Sequence, residues 1–284
     1  MKLCACCFEG VPPLTRDGRP YTLSMLDEWK EPSERVLLTG ISGTGKSTVL
    51  SCIQDTFDAV VLHKRTSVRG SVALLVRGLT QQGDTLLMRS RSAAFLKRVR
   101  AMFPGAVVIG DAAGKQLGPK DLLASKTPNT LLCDVYGAHA MTIKEAQEAL
   151  AALYREEPER CEQLIASIGL FLVGKSLRIE AGAPYVSLED GGRHALAGLS
   201  AGELRALTLL IRIVRSLRPG GILLLDEPEM HLHPAQLLGF LEILERLVLD
   251  ADGQIVLSSH APQVWNRYRS LGMCVELGGG HERI

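Results

Sequence analysis

One segment constrains the fold of this chain more than any other, the stretch RVLLTGISGTGKSTVLSCIQDTF from Arg35 to Phe57. It reads as a short apolar strand, a glycine-rich loop and a helix whose apolar residues recur at helical spacing. Residues Gly40–Ser47 match the pattern G-x-x-x-x-G-K-[ST], in which backbone N–H groups converge on phosphate oxygens at a helix N-terminus. The segment therefore predicts an α/β domain that binds a nucleotide.

The residues of this loop have distinct expected roles. Lys46 would neutralise the β- and γ-phosphates, and Ser47 would place its hydroxyl on Mg²⁺. The residues expected to bind the nucleotide are Gly40, Ile41, Ser42, Gly43, Thr44, Gly45, Lys46, Ser47 and Thr48.

Two other segments resemble this loop, and their context argues against both. Residues Gly169–Ser176 match the pattern letter for letter, but the interior LFLV is bulky and the following residues alternate like a strand. Residues Gly110–Gln116 are one position short and lack the hydroxyl. The sequence therefore selects Gly40–Ser47.

The stretch ILLLDEPEMHLHP near the C-terminal end allows two interpretations. Asp226 and Glu227 with His231 and His233 could form a metal site, although an H-x-H pair needs further donors to hold zinc. The same carboxylates could instead end the strand that handles magnesium and water in a nucleotide hydrolase. The order of the other motifs favours the second interpretation.

Two further motifs narrow the class. Leu199–Glu203, LSAGE, precedes an amphipathic helix and lies before the ILLLDE strand, although Ser200 and Glu203 also form a plain capping box. The strand IVLSSH, ending at His260, comes last. This order resembles the ATP-binding-cassette (ABC) class of P-loop ATPases. The resemblance implies an α/β fold with a mostly parallel P-loop core sheet, an N-terminal antiparallel β-subdomain and an inserted helical lobe.

The resemblance also implies roles for individual residues. Asp226 would complete the Mg²⁺ shell with Ser47, and Glu227 would activate the attacking water as general base. His260 would share with Lys46 the neutralisation of the transferred phosphoryl group. The turn of the signature motif would bind the ATP held by a second protomer, through Ser200, Ala201, Gly202 and Glu203. ATP and Mg²⁺ are thus the expected cofactors, and a homodimer or a higher assembly is the expected state.

The residue sequences of three motifs resemble those of the RecF-like and OLD-like branch of this class: SAGE, DEPEMHLHP and LSSHAP. The branch implies a sensor or regulatory subunit that works with nucleic acid or with an effector such as a nuclease or toxin, including anti-phage systems. Since the chain ends 24 residues after His260, we expect no nuclease domain within it. One alternative is the nucleotide-binding subunit of a transporter. Another is a binding module without catalytic activity, but the presence of Lys46, Ser47, Asp226 and Glu227 argues against it.

The middle of the chain fits the resemblance poorly. We expect one ABC-type ATPase domain over residues 1–284, with a helical lobe at about 110–170. Helices are expected at Lys144–Tyr154 and Arg160–Ile168, and strands at Ala59–Leu62 and Ala106–Ile109. Sustained heptads are missing from the sequence, which excludes a long coiled coil.

Charge is concentrated between Val61 and Arg100, which hold nine basic residues and one acidic residue. Such a segment can attract DNA, RNA or an acidic protein surface. An equally weighted alternative is a solvated face in which one or two of the basic residues serve the nucleotide.

There are seven cysteines, scattered apart from Cys4, Cys6 and Cys7, and this usage favours a reducing cytoplasm over a disulfide framework. Alternation in KLCACCF predicts a half-buried strand with Cys4 and Cys6 on one face, and no metal site. The apolar runs are too short to span a bilayer, so we expect no membrane partner.

Overall fold

A computed structural model describes residues 1–15, 20–64, 69–81, 83–110, 130–134, 142–230 and 232–278. The chain divides into two compact units. The first comprises Met1–Leu132, Arg218–Asp226 and Ala251–Ile284, and the second comprises Cys133–Leu217 and Glu227–Asp250. The prediction of a single domain over 1–284 stays a prediction, and each unit is described by itself.

The first unit holds a mixed sheet in the order β2-β1-β4-β5-β6. The pairs β1–β2, β1–β4 and β4–β5 are antiparallel, and only β5–β6 is parallel. The expected N-terminal antiparallel subdomain is thus confirmed. The strands are β1 (Lys2–Glu9), β2 (Tyr21–Ser24), β4 (Ser71–Thr80), β5 (Gly83–Arg89) and β6 (Val107–Gly110).

Strand β1 is buried on both faces, so the prediction of a half-buried strand is wrong. Cys6 packs in the larger core of the unit, whereas Cys4 packs in a separate cluster on the opposite face. The register against β4 shifts between Leu3 and Ala5, and this bulge reverses the alternation at Cys4. The prediction that Cys4 and Cys6 share a face is therefore also wrong.

The second sheet of this unit has the order β13-β3-β12-β11-β7, with β13, β3, β12 and β11 mutually parallel. Because parallel strands are covered on both faces, they read as continuous apolar runs. Its strands are β3 (Arg35–Thr39), β7 (Thr130–Asp134), β11 (Ile222–Asp226), β12 (Gln254–Ser258) and β13 (Met273–Glu276).

Helix α1 (Lys46–Val61) packs against strands of both sheets and shares one buried apolar cluster with them. Helix α2 (Ala93–Met102) buries Phe95 and Val99 against the other face of the mixed sheet.

The strand predicted at Ala59–Leu62 is wrong, because Ala59 to Val61 form the last turn of α1. Phe57, Val60 and Val61 are all buried, at the spacing of one helix face, so helical periodicity outweighs the β-branched run. The strand expected at Ala106–Ile109 is confirmed as β6.

The second unit holds a three-stranded antiparallel sheet in the order β10-β9-β8 and, within the described ranges, four α-helices. The two helices expected before residue 170 are confirmed as α3 and α4, although residues 111–129 and 135–141 of the lobe lie outside the described ranges. The elements are α3 (Ile143–Glu156), α4 (Pro158–Ile168), β8 (Lys175–Glu180), β9 (Ala183–Leu188), β10 (Arg193–His194), α5 (Ala201–Ser216) and α6 (Pro234–Leu249). Within the described ranges, every helix is too short or too polar to cross a bilayer.

Candidate nucleotide site

The loop Gly40–Gly45 joins β3 to α1 and has the backbone that the phosphate-loop pattern requires. Gly40 adopts φ 133°, and a Cβ there would lie 2.5 Å from the carbonyl oxygen of Leu277. Gly45 caps α1 with φ 100°, and its Cβ would lie 2.7 Å from Leu14 Cδ2. Side chains are thus excluded at both ends of the loop by backbone conformation and by neighbouring atoms.

Lys46 is the first residue of α1 and is only 5% exposed. Its ammonium donates hydrogen bonds to two carbonyl oxygens of the loop, Gly40 O at 2.9 Å and Ile41 O at 3.2 Å. The Lys46 ammonium therefore lies against the backbone of the loop, at the N-terminus of a 16-residue helix.

The adjacent strands β11, β12 and β3 bring the predicted carboxylate and histidine to the same edge of the sheet as the loop. Asp226 is in register with Ser258, which in turn is in register with Leu38. The Ser258 hydroxyl donates a hydrogen bond to Asp226 Oδ1 and so orients the carboxylate. His260 lies exposed two residues beyond the end of β12. The sequence reasoning missed Ser258, although it belongs to the quoted LSSH motif.

The residues at this edge fit a magnesium ion by their donor chemistry. Ser47 offers an exposed hydroxyl in the first turn of α1, and the half-buried Asp226 carboxylate is held by Ser258. Mg²⁺ prefers a few such oxygen donors together with water and substrate phosphates. Among the described residues, no group of three histidine, cysteine, aspartate or glutamate side chains could hold a metal, and His231 lies outside them.

Glu227 is the first residue of the second segment of the second unit and has a strained backbone, with φ 46°. Its carbonyl accepts a hydrogen bond from Met230 N at 3.1 Å, which closes a turn directly after β11. A glutamate held in the left-handed region costs about 1–3 kcal/mol and persists where its surroundings fix it. This turn fixes the direction in which the chain leaves β11 at Glu227.

The signature turn at the start of α5 contains both halves of a capping box. Ser200 Oγ accepts from Glu203 N at 3.3 Å, and Glu203 Oε2 accepts from Ser200 N at 2.9 Å. Ser200 and Ala201 are exposed, whereas Gly202 and Glu203 are buried. The Glu203 carboxyl is thus hydrogen-bonded within its own chain, whereas Ser200 and Ala201 are accessible to solvent.

Burial disfavours the charged form of Glu203, but hydrogen bonds from Lys175 and Ser200 outweigh it and lower the pKa of the carboxyl. The carboxylate is therefore ionised at neutral pH despite being 5% exposed.

Residues Gly169–Ser176, the exact sequence match to the loop pattern, adopt a different structure. Phe171 and Leu172 are buried, and Lys175 begins strand β8 as expected, not a helix. The ammonium of Lys175 binds the Glu203 carboxylate at 2.7 Å. Gly110–Gln116, the shorter look-alike, lies outside the described residues apart from Gly110.

His233 caps helix α6, where its Nδ1 accepts a hydrogen bond from Ala235 N at 3.2 Å. The residue is exposed, so its ring has a structural role and is also accessible.

The sequence matches the protein-family model "AAA domain, putative AbiEii toxin, Type IV TA system" over residues 114–265, which is more than half of the chain. The chain belongs to this family. The matched residues include the signature turn, Asp226, Glu227 and His260, whereas the phosphate loop lies before them.

Curated relatives are more distant and much longer than this chain. An uncharacterized ABC transporter ATP-binding protein/permease of Saccharomyces cerevisiae is 27% identical over 198 residues, covering 66% of this chain and 14% of that protein. Protein ea59 of Escherichia phage lambda is 27% identical over 126 residues, covering 41% of this chain and 23% of that protein. The chain therefore spans less than a quarter of either relative.

Among solved structures, an SMC head bound to the C-terminal winged-helix domain of ScpA is similar in fold, with a TM-score of 0.53 and 10% identity. The match covers 92% of this chain and 91% of that one. The family makes the chain an AAA-type P-loop ATPase domain, and the similarity in fold to an SMC head confirms the expected α/β fold class.

Proposed function

We propose that this protein is an Mg²⁺-dependent ATPase of the RecF-like and OLD-like branch that closes head-to-tail with a second copy over ATP. In each site the loop Gly40–Ser47 of one protomer faces the signature turn Ser200–Glu203 of the other. Binding closes the pair and hydrolysis opens it, so that nucleotide state becomes a conformational signal.

The convergence of three strand ends carries this proposal. The phosphate loop follows β3, Asp226 ends β11, and His260 follows β12, with β12 lying between the other two strands. Ligands of open α/β sheets bind beyond the carboxyl ends of the strands, which is where these three groups meet.

Within this site each residue has one task. Lys46 binds the phosphate oxygens, and Ser47 with Asp226 would hold Mg²⁺. Mg²⁺, when bound, neutralises charge on the β- and γ-phosphates. Glu227, the next residue after Asp226, orients and deprotonates the attacking water. His260 donates a hydrogen bond to the transferred phosphoryl group.

A regulatory role with a separate effector is supported by two comparisons. The family description names a toxin of a toxin–antitoxin system, and the similar SMC head is bound to another protein's winged-helix domain. We propose that an effector such as a toxin or nuclease docks on the ATP-closed dimer. The yeast relative's description supports the alternative, a transporter's nucleotide-binding subunit.

Replacing Glu227 with glutamine should trap the closed dimer. The amide keeps the size of the side chain but removes the base, so hydrolysis should fall by about 10²–10⁴-fold. Light scattering with ATP and Mg²⁺ should then show a dimer that is absent with ADP. Glu242→Gln is the matched control, because Glu242 lies in an exposed ion pair with Arg246. If the Glu227 variant stays monomeric with ATP at high protein concentration, the head-to-tail proposal is wrong.

The basic segment 61–100 is partly neutralised within the first unit. Arg98 is paired with Glu9, Arg77 with Asp84, and Lys64 with Asp58. Besides Arg98, three further basic residues are exposed on or next to α2: Arg91, Lys97 and Arg100. We propose this smaller face as the contact for DNA or RNA.

Reversing the charges of Arg91, Lys97 and Arg100 to glutamate should weaken binding of DNA or RNA by at least about tenfold at low salt and flatten its salt dependence. Fluorescence anisotropy with a labelled oligonucleotide measures both effects. Reversing Lys144, Arg160 and Arg178, three basic residues of the second unit, serves as the control. Equal loss in the two triple variants would contradict a contact on α2.

A further inference from the structure

Glu203 lies where three elements of the second unit meet. Its Oε2 accepts hydrogen bonds from Ser200 N at 2.9 Å and from Lys175 Nζ at 2.7 Å. Its Oε1 accepts from Lys175 Nζ at 2.8 Å and from Gln236 Nε2 at 3.5 Å. A single carboxylate thus joins the signature turn, the first residue of β8 and the first turn of α6.

The charge on Lys175 changes what the signature turn can attract. A helix N-terminus carries about half a positive charge, which favours a bound anion. The Glu203 carboxylate lies in the first turn of α5 and by itself offsets that charge. Because the Lys175 ammonium contacts both carboxylate oxygens, it neutralises Glu203 and leaves the turn electropositive.

The turn that precedes Lys175, around Leu170–Leu172, is tightly packed and places Lys175 next to Glu203. Phe171 is fully buried and meets Phe240 of α6 edge-on, with ring centroids 6.2 Å apart. Gly239 lies so close to this turn that a Cβ there would be 2.2 Å from Leu170 O. Lys175 N donates to Leu172 O at 3.2 Å, which fixes the backbone from which the side chain extends.

We propose that Lys175 is a positioning residue for the nucleotide bound by the other protomer. Through Glu203 it fixes the Ser200 backbone and cancels a buried negative charge that would otherwise face the γ-phosphate. This inference rests on the proposed head-to-tail closure. It also accounts for the second G-x-x-x-x-G-K-S segment, whose lysine serves a carboxylate instead of a phosphate.

Lys175→Met should lower ATP-dependent dimerisation and kcat by about tenfold or more, since it leaves a buried carboxylate without its charged donor. Binding of ATP to the dilute monomer, measured with a fluorescent ATP analogue, should change less than about twofold, because that binding uses only the loop of the same chain. Arg178→Met, an exposed arginine three residues further along β8, is the matched control and should behave as wild type.

A double variant separates positioning from mere stability. Lys175→Met with Glu203→Gln removes both charges but keeps an oxygen that can accept from Ser200 N, so dimerisation should recover several-fold over Lys175→Met alone. Lys175→Arg should stay close to wild type. Unfolding temperatures are measured for all variants.

Two results would overturn the inference. One is that the folded Lys175→Met protein dimerises with ATP and turns over as wild type does. The other is that dimerisation and kcat fall only in proportion to the unfolding temperature of each variant and do not recover in the double variant. If neither wild type nor Glu227→Gln dimerises with ATP, the proposed function itself fails, and the inference fails with it.

Discussion

Replacing Lys46 with methionine should abolish ATP hydrolysis and reduce ATP binding by at least about a hundredfold, the largest effect expected from any single substitution in this chain. Lys46 is buried at the start of α1, and its ammonium spans the loop by binding Gly40 O and Ile41 O. Methionine keeps the aliphatic stem and removes the charge that we propose binds the phosphates. Isothermal titration with ATP and Mg²⁺ measures the loss.

Loss of folding could imitate this result, so the Lys46 variant needs a control. The apolar stem of methionine fills the same space, and the unfolding temperature should therefore change little. Lys64→Met removes a charge from a surface ion pair with Asp58 in the same unit and should bind ATP as wild type does. Undiminished ATP binding by Lys46→Met would exclude Gly40–Ser47 as the nucleotide site.

Replacing Ser200 with arginine should eliminate hydrolysis almost as completely, but without loss of ATP binding by the monomer. Ser200 is exposed at the N-terminus of α5, and its hydroxyl caps that helix. Arginine would place a large side chain where the proposed closure brings the other protomer's nucleotide, and it would remove the cap, at a cost of about 1 kcal/mol. Turnover and ATP affinity are measured separately, and in this variant turnover should be lost while the affinity of the monomer for ATP is unchanged.

Ser200→Thr is the matched control for this position, because threonine keeps the capping hydroxyl. It should retain turnover within a few-fold and should dimerise with ATP in the same concentration range. Wild-type turnover in Ser200→Arg would contradict a role for the signature turn.

Local sequence was sufficient to predict the elements that carry the proposed site. The glycine pattern before Lys46 specifies a loop whose ends exclude a Cβ, and the apolar runs before Asp226 and His260 specify buried parallel strands. The spacing of Ser200 and Glu203 predicts a capping box, which is present. Each of these features depends on residues close together in the chain.

The features that could not be predicted depend on contacts between distant residues. Lys175 and Glu203 are 28 positions apart, and only the folded unit shows that this lysine meets a carboxylate. Ser258 reaches Asp226 across 32 positions. The bulge at Cys4 is set by pairing with β4, so alternation within β1 alone places Cys4 on the wrong face.

The most direct test of head-to-tail closure mixes the Lys46→Met and Ser200→Arg proteins, each inactive alone. A mixed dimer holds one site with an intact loop from one chain and an intact signature turn from the other. If half of the dimers are mixed and each has one working site, roughly a quarter of wild-type ATP hydrolysis should return on mixing. Activity that stays at the level of the separate variants, while both remain folded, would contradict a site shared between two protomers.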